Sequence, residues 1–377
     1  MSVANQISRI QNLVSELRTN IINKGVQLAS DADLEACVDA VPNISGGGGP
    51  TPSGYELEYF TITNESAQVP CNVVLNHNQT STNYRTNVTV NLDYSFDKVT
   101  WTNVSQTSVN NVTVCSIPAG GSVYIRSNLR DVQVKTYSNK DYYNCKYFSF
   151  NTGVILSGNI MSLLYGDDFV GKNVVQDREL WYLFYGQNKI SDISNLIINV
   201  DFIGSYGCAD MFNSCTGITS GIASLPAKTV CSYGCYKMFT GAKFTTPPVM
   251  NCTSVGIRAF DEMFANCQEM TTAPSLPATT LADYCYYGMF FNCKALTNAP
   301  ELPALTLRSN CYYYLFNGCT NLNYIKCLAT DISATNCVNS WVTNVGASGT
   351  FVKNANMSSW PSGANGIPNG WTVSDAV

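Results

Sequence analysis

Along its second half the chain repeats a unit anchored on a Met-Phe or Leu-Phe pair, with a cysteine four residues after the first member of the pair in most copies. The units read CADMFNSC (Cys208 to Cys215), CYKMFTGA (Cys235 to Ala242), FDEMFANC (Phe260 to Cys267), YYGMFFNC (Tyr286 to Cys293) and YYYLFNGC (Tyr312 to Cys319). Their anchors, Met211, Met238, Met263, Met289 and Leu315, follow one another at intervals of 27, 25, 26 and 26 residues. A period of this size is the mark of a solenoid, because one such unit cannot bury its apolar face alone and must stack on the next. The segment after each cysteine, such as ALTNAPELPALTL (Ala295 to Leu307), alternates apolar and polar residues into a proline-containing turn and predicts one short strand per unit. The stretch before the anchor, such as Asp283 to Phe290, predicts one or two helical turns that close the coil. Met289, Phe290, Leu296, Leu302 and their equivalents then face the interior.

Around this array the composition is that of a folded protein with a quiet surface: 45% hydrophobic and 12% charged over 377 residues. A formal net charge of −5, with no run of Lys or Arg, lacks the electrostatic footprint of nucleic-acid binding. No apolar stretch reaches the roughly 18 residues that span a bilayer, and MSVANQISRIQ has no signal-peptide pattern. Membrane insertion is therefore not expected, and synthesis in a cytosol is. There, sixteen cysteines are expected to stay as thiols.

Val3, Ile7, Ile10, Val14, Leu17 and Ile21 fall at alternating steps of four and three, the spacing of a coiled-coil seam. β-Branched residues at both seam positions favour trimers over dimers. A single amphipathic helix docked on another protein fits the same residues equally well. A second short helix, Ser30 to Val41, ends at Pro42, and GGGGPTPSG (Gly46 to Gly54) reads as a flexible hinge. From Tyr55 the period becomes two, as in Val88, Val90, Leu92, Tyr94 and Phe96, then Val99 and Trp101, Val112 and Val114, Val123 and Ile125. That pattern, broken by Asn, Gly and Pro turns, predicts a small β-sandwich. The expected organisation is thus mixed and β-rich: a helical anchor over 1–45, a linker over 46–54, a sandwich over 55–138, a solenoid over 139–345 and a cap over 346–377.

Little in the sequence points to catalysis. The one histidine, His77, sits in LNHNQTSTN, which reads as a solvated loop. Asp167 and Asp168 in YGDDF read as turn-forming, since adjacent carboxylates project in different directions rather than across a sugar. Cys215, Cys267, Cys293 and Cys319 share one register in which Ala242 and Val345 also stand, as a small buried apolar position tolerates and a metal ligand does not. Cys231 and Cys235 have a zinc-like spacing without a second pair. No metal, cofactor or catalytic residue is assigned. The tyrosine runs, Tyr286 and Tyr287 with Tyr312, Tyr313 and Tyr314, divide between interior filling and an outer face suited to sugar rings or protein surfaces.

The repeat [C/F/Y]xxMFxxC…LTxAPxLPAxTL resembles the BspA-type leucine-rich repeats of gut-bacterial surface proteins and of the phages that infect them, over roughly Tyr55 to Val377. The leading ANQISRIQNLVSELRTNIINKG, followed by LEACVDAV, is similar to the first segment of many phage tail and fibre proteins. Together these resemblances imply a non-enzymatic virion protein, a head or tail fibre or a capsid decoration. Its N-terminal helix would dock into other virion proteins, and its repeats would meet a host-cell surface protein or glycan. A bacterial cell-surface adhesin is the alternative, and a glycan-degrading enzyme a third.

Overall fold

Alternation of apolar and polar residues builds the first half of the fold. The computed structural model describes residues 58–79, 88–108, 111–129, 134–137 and 140–376. The predicted seam of Val3, Ile7, Ile10, Val14, Leu17 and Ile21, the second short helix and the glycine hinge lie outside the described residues. Nine strands come first: β1 (Phe60–Asn64), β2 (Cys71–Gln79), β3 (Val88–Ser95), β4 (Thr102–Ser108), β5 (Val112–Ile117), β6 (Ser122–Ser127), β7 (Val134–Tyr137), β8 (Lys140–Phe150) and β9 (Val154–Asn159). In β6, Val123 and Ile125 are buried between half-exposed neighbours, and in β1 Phe60 and Ile62 point the same way.

The strands form two antiparallel sheets, one ordered β9-β1-β6-β3-β4 and the other β5-β2-β8-β7. Their inner faces share one core, with the Phe60 and Phe148 rings 6.1 Å apart across it. The sandwich therefore runs past the expected boundary at 138, because β8 and β9 are integral to its sheets. His77 lies within β2, where its backbone pairs with Lys146, and not in the predicted loop.

After a single helical turn, α1 (Ser162–Tyr165), the chain enters the solenoid through β10 (Val174–Val175), β11 (Ile190–Asp192) and β12 (Leu196–Ile197). Both β11 and β12 pair in parallel with β9, so the first coils extend a sandwich sheet directly. At that junction Gly158, with φ +75°, brings its backbone so near Tyr59 that a Cβ would lie 2.0 Å from the Tyr59 carbonyl oxygen. Phe184 continues the core, its ring 5.7 Å from Phe60 and 5.8 Å from Phe148.

About eight turns then stack in parallel. One ladder runs from β10 through β13 (Phe202–Ile203) and then, two strands further along the chain, to β15 (Thr229–Val230); β14 (Ser224–Leu225) begins a second ladder completed by β16 (Val249–Met250). β17 (Ser254–Val255) closes the first ladder. Successive coils here carry two short strands each, where one per unit was expected. The last coils share β18 (Tyr324–Cys327), β19 (Thr350–Lys353) and β20 (Thr372–Asp375), also parallel. The expected cap over 346–377 thus contributes two more strands to the stack, and its Trp360 lies 5.7 Å from Trp341 of the coil beneath.

The predicted helical turns before each anchor are not helices. In one coil the amides of Tyr206, Cys208, Asp210, Phe212 and Ser214 donate to carbonyls of the next coil, at Ser232, Gly234, Tyr236, Met238 and Thr240. The intervening amides of Gly207, Ala209, Met211, Asn213 and Cys215 donate to the carbonyl three residues back. Every fourth residue is left-handed: Tyr206 (φ 58°), Asp210 (φ 54°) and Ser214 (φ 62°). The arc is therefore a chain of linked β-turns, each second amide tied to the neighbouring coil.

Candidate functional site

The linked turns send side chains in pairs, two inward and two outward. Inward go the anchor pair and the cysteine. The phenylalanines form a stacked column, Phe184, Phe212, Phe239, Phe264, Phe290 and Phe316, with neighbouring centroids 5.2 to 6.0 Å apart. Beside it the cysteine thiols are spent on the backbone. Cys215 Sγ donates to the Phe184 carbonyl at 2.9 Å, Cys267 to Phe239 at 3.2 Å, Cys293 to Phe264 at 3.1 Å and Cys319 to Phe290 at 3.0 Å. Burial pushes the Cys215, Cys267 and Cys319 thiols up to about 12, so they are protonated and unreactive at neutral pH. At Ala242 the thiol is missing, and in that coil Phe244 packs edge-on against Phe239 and Phe264.

Tyr286 and Tyr312, expected among the ligand-facing tyrosines, belong to this interior: each is 1% exposed. They stand in the same column as Cys208, Cys235 and Phe260, the three stacked rings running Phe260, Tyr286, Tyr312 at 5.9 and 6.3 Å. They are removed from the candidate site. Tyr287, Tyr313 and Tyr314 do lie on the outside and half-exposed, with Tyr287 stacked on Tyr313 at 5.2 Å and Tyr313 edge-on to Tyr314 at 4.3 Å.

Those rings continue a larger patch that the tyrosine runs alone did not reveal. The first left-handed position of successive arcs holds Arg178, Tyr206, Tyr233, Arg258 and Tyr284. Arg178 lies over the Tyr206 ring at 5.1 Å, Tyr206 stacks on Tyr233 at 4.6 Å, and the Arg258 guanidinium sits 4.0 Å above Tyr284 and 5.8 Å from Tyr287. Parallel strands repeat at about 4.8 Å, so this aromatic and guanidinium strip extends about 24 Å along the outer face. Only an alignment of the arcs in register could have found it, because within the sequence these residues are some 26 apart.

Charged groups flank the strip. Asp261, 1% exposed, pairs with Arg258 Nη1 at 2.5 Å while its second oxygen has no partner. Burial is the largest influence on this carboxyl and raises it to about 7, against the pull of Arg258. Lys237 meets Glu262 at 3.2 Å, and the neighbouring Tyr236 and Glu262 raise its ammonium above the usual lysine range in spite of partial burial.

Asp167, one of the adjacent carboxylates, lies in a 3₁₀ turn, Gly166–Asp168, and accepts hydrogen bonds from Tyr59 Oη at 2.9 Å and Arg126 Nη1 at 2.6 Å. Cys231 is half-buried and Cys235 fully buried, both as free thiols. Among the described residues no three His, Cys, Asp or Glu side chains gather to hold a metal, and no helix is long and apolar enough to cross a membrane. Compared with protein-family models, curated proteins and solved structures, the chain gives no match.

Proposed function

We propose that this chain is a non-enzymatic adhesive protein of a bacteriophage virion, a head or tail fibre or capsid decoration, whose solenoid presents its outer strip to a host-cell surface protein or glycan. The observation that supports the adhesive part is the strip itself. Tyr206, Tyr233, Arg258 and Tyr284 stand on left-handed backbone, at φ 58°, 58°, 55° and 59°, where Asn or Gly fits with less strain. Mutual stacking, worth about 0.5–1.5 kcal/mol per aromatic pair, offsets part of that cost. What it leaves is a half-exposed ladder of ring edges and guanidinium groups, aromatic and arginine chemistry of the kind enriched where proteins meet partners. Attachment to the particle rests on the sequence resemblance of the N-terminal segment, through which the chain would contact other virion proteins or form a trimer. Several copies would raise weak single-site affinity by avidity.

The test is adherence to host cells by purified protein carrying Tyr287→Ala and Tyr313→Ala, with Tyr233→Ala as a second variant. The reading expects at least a tenfold loss in bound protein from variants that keep the parent's circular dichroism spectrum; undiminished adherence of both variants removes the strip from it. Mass spectrometry of purified particles addresses the virion assignment. Recovery of the chain only from bacterial envelopes would replace it with the cell-surface adhesin, and release of oligosaccharide from host capsule would replace it with an enzyme.

A further inference from the structure

A second surface, on the sandwich and sharing no residue with the strip, is built to hydrogen-bond. A groove of about 430 Å³ opens on the outer face of the sheet, between strands β3, β4 and β6 and the turn that follows α1. Its size is within the range of small-ligand sites. Period two puts Asn91 and Asp93 of β3 outward while Val90 and Leu92 enter the core, and it brings Arg126 of β6 beside them. The α1 end supplies Leu164, Tyr165 and Asp167 as the opposite wall.

Arg126 organises the site. Its Nε donates to Asp93 Oδ2 at 3.1 Å, its Nη1 to Asp167 Oδ1 at 2.6 Å, and the guanidinium plane lies 4.0 Å from the Trp101 ring centroid. Asn103 donates to Asp93 Oδ1 at 2.8 Å and to Asn91 Oδ1 at 3.1 Å. Each side chain is thereby fixed in one orientation before any ligand arrives. Arg126, Asp167 and the exposed Asn128 line the groove and bring a guanidinium, a carboxylate and an amide to it.

The charges decide among ligand classes. One guanidinium against two carboxylates leaves the groove net negative, which opposes phosphate, sulfate or a uronic acid. A metal cation is opposed in turn, since the Arg126 guanidinium already stands between the Asp93 and Asp167 carboxylates and repels a second positive charge. A neutral ligand rich in hydroxyls fits, because each hydroxyl both donates and accepts and so matches neighbouring donors and acceptors. We infer that this groove binds one or two neutral sugar residues, with Arg126, Asp167 and Asn128 taking the hydroxyls. This site is independent of the strip and of the reading built on it.

The experiment is saturation-transfer NMR on the full chain with methyl glycosides of glucose, galactose, mannose and N-acetylglucosamine, and with glucuronic acid as the anionic control. At least one neutral glycoside should show transfer with millimolar or tighter affinity, and glucuronic acid weaker transfer than its neutral counterpart. Asn128→Ala, an exposed position, should weaken binding at least threefold with the melting temperature unchanged, and Arg126→Lys at least tenfold. Silence from all four neutral glycosides at about 10 mM, an affinity limit near 2.7 kcal/mol, overturns the inference. So does binding that survives both substitutions, or a preference for glucuronic acid.

Discussion

The buried thiols explain why cysteine, and not merely a small residue, stands after most anchors. The Phe264 carbonyl already accepts the amide of Cys267 and takes the Cys293 thiol as a second donor. Cys293→Ala removes that bond and leaves a small cavity, so a loss of about 1–2 kcal/mol is expected, readable as a lower denaturant midpoint at unchanged slope. Asp261 gives a pH signature with a definite sign. Its carboxyl is raised from 3.8 to about 7 by burial, so folding favours the protonated form. The stability this contributes is present in full below about pH 4 and is lost as pH rises through about 7. Asp261→Asn is neutral throughout, and its melting temperature should gain on the parent between pH 5 and pH 8. A parent that gains on the variant instead would mean that the Arg258 pair outweighs desolvation.

At the scale of the element, the linked-turn arc is what the sequence concealed. Its residues enter the core as i, i+1, i+4 and i+5, as with Cys235, Met238 and Phe239, a spacing close enough to an amphipathic helix to be read as helical turns. The repeated Met, Phe and Cys were legible because the same side chains recur at each core position. Tyr286 and Tyr312 were not, since a run of tyrosines gives no sign of which ring turns inward until Phe260 and Cys235 are set in the same column. In β3 the alternation was legible to Leu92, but Phe96 is 47% and Val99 82% exposed. There Asp97 accepts the amides of Val99 and Thr100 and ends the strand as a turn. The arcs make their own prediction. Asn344, exposed with φ 56°, occupies the register position of Gly186, Gly241 and Gly318. Asn344→Gly should leave stability within about 0.5 kcal/mol of the parent, while Asn344→Val, β-branched on left-handed backbone, should lose about 1–3 kcal/mol in chemical denaturation.

For the whole molecule, the division into a sandwich and a solenoid describes the architecture but not the core. The pattern change near residue 139 suggested two folding units, because period two gives way to the repeat there. The chain joins them by a device no local pattern announces: β9 pairs with β1 on one side and with β11 and β12 of the first coils on the other. Phe184 packs at a tilt against Phe60 and stacks on Phe148 of the sandwich and on Phe212 of the next coil. In a solenoid each coil is stabilised by its neighbours, so one end of the array needs a partner surface, and here the sandwich supplies it. The consequence is thermodynamic coupling. Phe184→Ala should cost about 3–5 kcal/mol and lower the unfolding of both halves together. Two probes can follow this on the full chain: Trp101 fluorescence for the sandwich, with the other tryptophans replaced by Phe, and far-ultraviolet circular dichroism for the whole. Coincident transitions in the parent, moving in step in the variant, are the expected outcome. A sandwich transition that stays in place while the remainder melts earlier would show two independent cores and would break the continuity from Phe60 to Phe316.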